Sequence, residues 1–508
     1  MELAKQIKQQ GKACSQQPVI LFNASTRIIG MSQNASFSLL TNWKLQLEGV
    51  PTVQFVCRGA MRPCVLGTDI TDPGKKPPCA RCMKLSDTVY ANQNIVELFP
   101  DELSIPEIEH LSVDSLATFC YDEFPAGEIV LPSLRWILRR HHLVDNESTR
   151  DLFKCYIRSA ISFYQKFSTE VEKIKPQAVV VFNGMFFPEA TLKWVARKQG
   201  IPVFSHEVAL RPMTAFFTPG EATAYPIDIQ DGYTLTPEQD SKLDEYLADR
   251  MKGDFTMAGV RFWSGMKGLD KDLLNRIEQY KGVIPVFTNV IFDTSQGHAN
   301  VLFETMFSWL DHVAELIRKT PNHLFVIRAH PDEIRPGKSS SESVADWFKS
   351  SNLTGLPNVV FIPPQETFSS YELIQRAKFV MVYNSTIGLE ASILATAVLC
   401  AGKSRYTQNN SVYFPASLEK YNMLLQSMID SEQVVVPAEH QKNARAFLYV
   451  QLFETSLPMQ DFLENDPYLA GYTGIKNISL DDFTGKKGEV LDIIAGGILN
   501  GTPFLWKK

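Results

Sequence analysis

The chain has 508 residues, of which 44% are hydrophobic and 21% charged, with a formal net charge of −6. That length exceeds one ordinary core, so two domains of a globular protein are expected. The acidic balance, with no basic block to offset it, excludes nucleic acid as the main partner.

In chain order, the polar, helix-patterned start Met1–Lys8 is not a signal peptide. No apolar run approaches the ~18–20 residues that span a bilayer, so no transmembrane segment and a cytoplasmic location are expected. Val19–Phe22 predicts a strand ending in a polar loop at Asn23, where Ser25 and Thr26 either touch a ligand or form a plain turn. A helix over Ser36–Leu47 and a strand over Thr52–Val56 complete a βαβ unit.

Four of the eight cysteines then fall between Cys57 and Cys82: Cys57, Cys64, Cys79 and Cys82. A Cys-x-x-Cys with two further thiolates is ligand spacing for a structural zinc ion or an iron–sulfur cluster, and a metal-free reading stays open. A redox role is disfavoured because Pro77-Pro78-Cys79 does not announce a helix after a strand. The basic run Arg135–His142 reads as a solvated helix face, and apolar spacing over Leu152–Ile174 predicts a helix stopped by Pro176.

Ala178–Phe182 is an apolar strand with Asn183-Gly184 at its end, followed by a helix from Pro188 to Gln199 stopped by Gly200. Ile201–Phe204 is the next strand, ending at Ser205-His206-Glu207, so Asn183 and Glu207 are expected on one edge. Residues 211–230 read as an ordered loop whose Phe216 and Phe217 either stack on a ligand or join the core. Thr236–Met266 is amphipathic, and Gly268–Lys271 reads as a linker.

A second α/β region begins with the strand Val283–Phe287, which runs into Thr288-Asn289, and continues with a helix over Val301–Lys319. The run Leu324–Ile327 breaks at Arg328-Ala329-His330-Pro331-Asp332-Glu333, and Val359–Ile362 is a short strand. Phe379–Tyr383 breaks at Asn384-Ser385-Thr386-Ile387-Gly388-Leu389-Glu390, and Ala397–Gly402 is the last clear strand. Residues 415–508 read as helical with a Gly-rich end.

Ligands of parallel sheets bind beyond the carboxyl ends of the strands, where both polar breaks fall. Asn384, Ser385 and Thr386 offer caps to a helix starting at Gly388, an anion site by virtue of free N–H groups and the helix dipole. Glu390, one turn in, is placed to accept hydrogen bonds from a ribose. Arg328 and His330 bring donors or charge to the same rim, and Pro331 fixes the backbone after His330. A nucleotide phosphate flanked by a sugar fits this set, whereas a lone His-Pro is usually a loop and a lone Ser-Thr usually a cap.

Those two motifs, Arg328–Glu333 and Tyr383–Ala391, resemble the HP and Ser/Thr motifs of bacterial capsule-polysaccharide biosynthesis glycosyltransferases of the GT-B fold, a group that includes Kdo transferases. Pro285–Asp293, Asn183-Gly184, His206-Glu207 and Arg211-Pro212 are similar to that group as well, so the resemblance spans roughly residues 175–435.

The resemblance implies an α/β, GT-B-like fold with two Rossmann-like domains facing a cleft and C-terminal helices returning to the first. The expected domains are 1–267, acceptor-side with a Cys-rich insertion at 57–82, then 268–435, nucleotide-sugar-binding, then a helical tail at 436–508. It further implies metal-independent transfer of a sugar from a CMP- or UDP-linked donor to a glycan or lipid-linked acceptor in surface-polysaccharide biosynthesis. A lipid-linked acceptor would bring the protein to the inner membrane peripherally. The donor set is Thr288, Asn289, Arg328, His330, Pro331, Glu333, Asn384, Ser385, Thr386, Gly388 and Glu390, with His330 also stabilising the leaving group. Glu207 or His206 is the expected base; alternatively Glu207 only holds its loop through Arg211. A nucleotide-sugar epimerase of the same fold and an inactive glycan-binding scaffold are the other readings.

Overall fold

The computed structural model describes residues 2–10, 16–24, 28–69, 72, 74–230, 232–251, 255–257, 260–262, 267–293, 296–335, 339–469 and 471–507. Ser25 and Thr26 therefore lie outside the described residues. The chain forms two compact units: Met1–Leu138 with Leu143–Pro226 and Leu452–Lys508, and Arg139–His142 with Ile227–Gln451. Among the described residues no helix is long and apolar enough to cross a membrane.

In the first unit, β1 (Val19–Phe22), β2 (Thr52–Cys57), β3 (Ile95–Leu98), β4 (Ala178–Phe182) and β5 (Val203–Val208) run parallel in the order β3-β2-β1-β4-β5. The antiparallel β6 (Thr214–Thr218) extends the sheet beyond β5. The connecting helices include α1 (Gln33–Leu47), α2 (Cys79–Val89), α3 (Glu147–Ile174) and α4 (Phe187–Lys198). Each start or stop has a local cause. The Ser32 hydroxyl accepts from the Ala35 N–H at 3.1 Å to open α1, and Asn146 caps α3 through the Thr149 N–H. Lys175 closes α3 in a left-handed conformation, φ 51°, just before Pro176.

Because successive strand residues point to opposite faces, this sheet feeds two cores. Ile20, Phe22, Val53, Phe55, Val179 and Val181 pack with α3 and α4 on one side, where the Phe55 and Phe167 rings stack at 5.5 Å. Val19, Leu21, Ala178, Val180 and Phe204 pack on the other side against α1 and the C-terminal segment.

In the second unit, β7 (Val283–Phe287), β8 (Leu324–Arg328), β9 (Val359–Ile362), β10 (Val380–Val382) and β11 (Val398–Cys400) are all parallel, in the order β9-β8-β7-β10-β11. The helices named below are α5 (Pro237–Met251), α6 (Met306–Lys319) and α7 (Ile387–Ile393). In α6, Met306, Leu310, Val313 and Ile317 recur at helical spacing and are buried, and Thr305 and Ser308 form a capping box.

The chain then returns to the first unit. The strand β12 (Leu457–Pro458) pairs with β6, and α8 (Gly485–Asn500) covers the α1 face of the sheet through Val490, Leu491, Ile494 and Ile498. Both units thus repeat one doubly wound strand order, the α/β architecture expected, with the last helix rejoining the first unit.

Several local expectations differ. The strand expected to end at Phe204 continues through His206 and Glu207 to Val208, because β6 supplies an antiparallel partner for those residues. Phe216 and Phe217 therefore sit in a strand and in the core, only 3% and 2% exposed. A helix does open at Cys79, directly after Pro78. Arg139–His142 is not a solvated helix face: Arg139 leaves the preceding helix with φ 58° and is buried over the Phe292 ring at 4.9 Å.

Candidate functional site

In each unit the first and fourth parallel strands, in chain order, are neighbours whose crossovers run in opposite directions, which leaves a crevice beyond their carboxyl ends. In the second unit these are β7 and β10. Asn289, two residues past β7, donates from Nδ2 to Asn384 Oδ1 at 2.8 Å, tying the two strand ends together. Gln296 Nε2 donates to the same oxygen at 3.2 Å, and Asn289 Oδ1 accepts from its neighbour Val290. With its oxygen doubly occupied, Asn384 keeps its amide N–H groups as donors at the rim. Thr288 is buried and donates to the Arg328 carbonyl at 3.0 Å, which joins β7 to the end of β8.

His330 follows β8. Its Nδ1 accepts from the Asp332 backbone N–H at 3.1 Å, so the proton of the neutral ring resides on Nε2, which has no partner among the described residues. Burial lowers the imidazole pKa, with Arg328 acting in the same direction and Asp332 and Asp293 opposing. His330 is thus a neutral N–H donor held by its own turn, Pro331–Ile334.

Other expected donor-site residues take structural places. Arg328 is buried and donates from Nη1 to the Phe368 carbonyl at 2.5 Å, and desolvation lowers its pKa to about 10. Glu390 accepts from Arg250 Nε at 2.8 Å and from the Tyr371 hydroxyl at 2.6 Å, so both of its oxygens are engaged by the protein. The ribose contact expected of it would have to share those oxygens. Gly388 is where a side chain would collide: a Cβ would stand 2.5 Å from the Tyr406 hydroxyl. That hydroxyl donates to the Ser385 carbonyl. Thr386 precedes α7 without a side-chain capping bond, and Ser385 is buried. Glu333 is buried, accepts from the Val344 N–H at 3.3 Å, and is raised to about 7 by desolvation.

In the first unit, β1 and β4 end at the buried Asn23 and at Asn183, with Glu207 on the adjacent β5. Glu207 is held on both oxygens: Asn34 Nδ2 donates to Oε1 at 2.8 Å and Asn183 Nδ2 to Oε2 at 2.9 Å. Asn183 reaches it from a left-handed turn, φ 59°, followed by Gly184 at φ 78°. The partner expected of Glu207, Arg211, instead lies over the Phe453 ring at 5.3 Å.

His206 must be withdrawn as a candidate base. It is fully buried beside the Phe37, Phe182 and Phe217 rings, and desolvation pushes its pKa down to about 3. Its Nδ1 stands 3.2 Å from Asn34 Oδ1, so it orients the amide that holds Glu207. Asn34 was missed in the sequence because it lies in α1, at no strand end; Asn23 carries an amide with no partner at either atom among the described residues.

Among the described residues no three His, Cys, Asp or Glu side chains are grouped to hold a metal ion, so the zinc ion or iron–sulfur cluster expected at the four cysteines gains no support from such a grouping. Cys57, Cys64, Cys79 and Cys82 all line one recess.

No protein-family model and no curated protein matches the chain. Solved structures that align with it include the KpsC beta Kdo 2,4 transferase of Thermosulfurimonas dismutans, 13% identical over 63% of this chain and 88% of that one, TM-score 0.37. The KpsC beta Kdo 2,7 transferase of the same organism is 15% identical over 56% and 80%, TM-score 0.31. A UDP-GlcNAc 2-epimerase from Neisseria meningitidis, bound to UDP-GlcNAc, is 14% identical over 86% and 99%, TM-score 0.25. At such identities and scores the functional reading rests on the residues themselves. The chain is similar to Kdo transferases and to UDP-GlcNAc 2-epimerases, and it is an α/β protein of two Rossmann-like units.

Proposed function

We propose that the chain is a glycosyltransferase that binds a nucleotide-activated sugar at the carboxyl edge of the β7–β11 sheet and passes the sugar to a hydroxyl of a glycan or lipid-linked acceptor. The observation that carries this reading is the bridge from Asn289 to Asn384 across the crevice, with His330 following the neighbouring strand β8. Neutral N–H donors fixed beyond strand ends suit a phosphate and its sugar, and His330 would stabilise the leaving nucleotide without a metal. Glu207, oriented by two amides, would take the proton of the acceptor hydroxyl as it attacks the anomeric carbon. The nucleotide would be CMP or UDP.

The test is thermal unfolding of the protein with CMP, UDP, GDP, ADP or dTDP, repeated with His330→Ala. One nucleotide is expected to stabilise the wild type by ~2.7 kcal/mol at a hundredfold excess over its dissociation constant, and the variant to lose that gain. Glu207→Gln should keep the stabilisation and lose transfer. An absence of any nucleotide shift sinks the reading. Conversion of a nucleotide sugar to its epimer with no acceptor present would favour the epimerase instead.

A further inference from the structure

Cys57, Cys64, Cys79 and Cys82 come from three separate stretches, yet all four line one recess beyond the carboxyl ends of β1 and β2. The remaining wall is apolar or thioether, with Ala24, Ile28, Met61, Pro77, Pro78 and Met83. Local structure sets each thiol. Cys57 is the last residue of β2, and Gly59 follows with φ 79°. Gly67 leaves no spare room, since a Cβ there would stand 3.2 Å from Pro77 and 3.3 Å from Ile28. Cys79 and Cys82, three residues apart on the first turn of α2, share one helix face.

This arrangement separates two kinds of metal centre. A lone zinc ion lies ~2.3 Å from each sulfur, which draws four sulfurs to roughly 3.8 Å from one another. No such grouping exists among the described residues. An iron–sulfur cluster instead puts an inorganic core between its thiolates, so its four cysteines surround a hollow. The apolar wall keeps water from the core. We propose that Cys57, Cys64, Cys79 and Cys82 ligate an iron–sulfur cluster that fastens α2 and the loop before it to the ends of β1 and β2. Its role is structural, and it stands apart from the sugar-transfer reading.

The full-length protein is incubated anaerobically with ferrous iron, sulfide and a thiol reductant, desalted, and assayed for iron and acid-labile sulfide. The expected result is equal iron and sulfide, about two or four of each per chain, with visible absorption bleached by dithionite. Cys79→Ser and Cys82→Ser should lose both, whereas Cys120→Ser, at an exposed thiol far along the chain, should keep them. Far-UV circular dichroism establishes that each variant is folded; should one unfold, the wild-type stoichiometry decides alone. Stoichiometric zinc without sulfide, a folded wild type that retains neither iron nor sulfide, or folded Cys79→Ser and Cys82→Ser variants that keep both would each overturn the proposal.

Discussion

Two histidines expected at strand ends show how burial sorts residues of one type. His206 is enclosed by rings, pushed down to about 3, and works through Asn34; His330 is held neutral with Nε2–H at a rim. Glu333, three residues on, carries the opposite consequence. Desolvation raises its carboxyl from 4.5 to about 7, and Oε2 has no partner among the described residues. A carboxyl with a raised folded pKa binds its proton more tightly when folded, so stability falls as pH climbs from 4.5 to about 7 and levels off beyond. Glu333→Gln removes that penalty and keeps an acceptor for the Val344 N–H. The variant should exceed the wild type by on the order of 3 kcal/mol near pH 8, with the difference vanishing near pH 4.5. Urea unfolding at the two pH values checks it, and a gain that is equal at both would refute the assignment.

Among the elements, α7 is too short to hold itself. It has seven residues and no side-chain cap, so tertiary contacts must fix it. Glu390 supplies them: its bonds to Arg250 and Tyr371 tie α7 to α5 and to the helix Ser370–Gln375. The cation and the carboxylate are both buried, and nearby Glu390 raises the Arg250 pKa against the desolvation that lowers it. Arg250→Ala would strand a carboxylate and should cost about 3–5 kcal/mol, while Arg250→Met with Glu390→Gln should recover much of it. Chemical denaturation of the single and double variants reads this directly; equal losses in both would exclude a stranded charge as the cause. The same stretch shows the reach of sequence reasoning. Periodicity and polar breaks located β8, β10 and α7, because apolar runs of fixed length have few other uses. The partner of Glu390 lies 140 residues away, and no spacing rule reports it.

At the scale of the molecule, the C-terminal segment completes the first unit. Leu457, Met459, Phe462, Val490, Leu491, Ile494 and Phe504 belong to the core on the α1 side of its sheet. Phe504 packs edge-on to Phe204 at 5.8 Å, and Gly497 approaches its ring so closely that a Cβ there would collide with it. Removing residues 452–508 should expose that face and leave the first unit aggregated or protease-sensitive, while fragments of 227–451 survive. Limited proteolysis with mass mapping tests it, and a truncated chain whose first unit resists cleavage as the full one does would contradict it.

The sequence alone determined the two α/β regions, the strands β1, β4, β7, β8 and β10, and the polar residues that terminate them. Runs of β-branched and aromatic residues bury themselves in a sheet wherever they occur, and polar breaks must fall at the ends. Tertiary structure decided the rest. It extended β5 through Glu207 by adding β6, placed His206 among aromatic rings, engaged Glu390 with Arg250, and gathered four cysteines from separate stretches around one recess. Each of those outcomes depends on which distant groups share a volume, and desolvation and hydrogen bonding act only once that volume has closed.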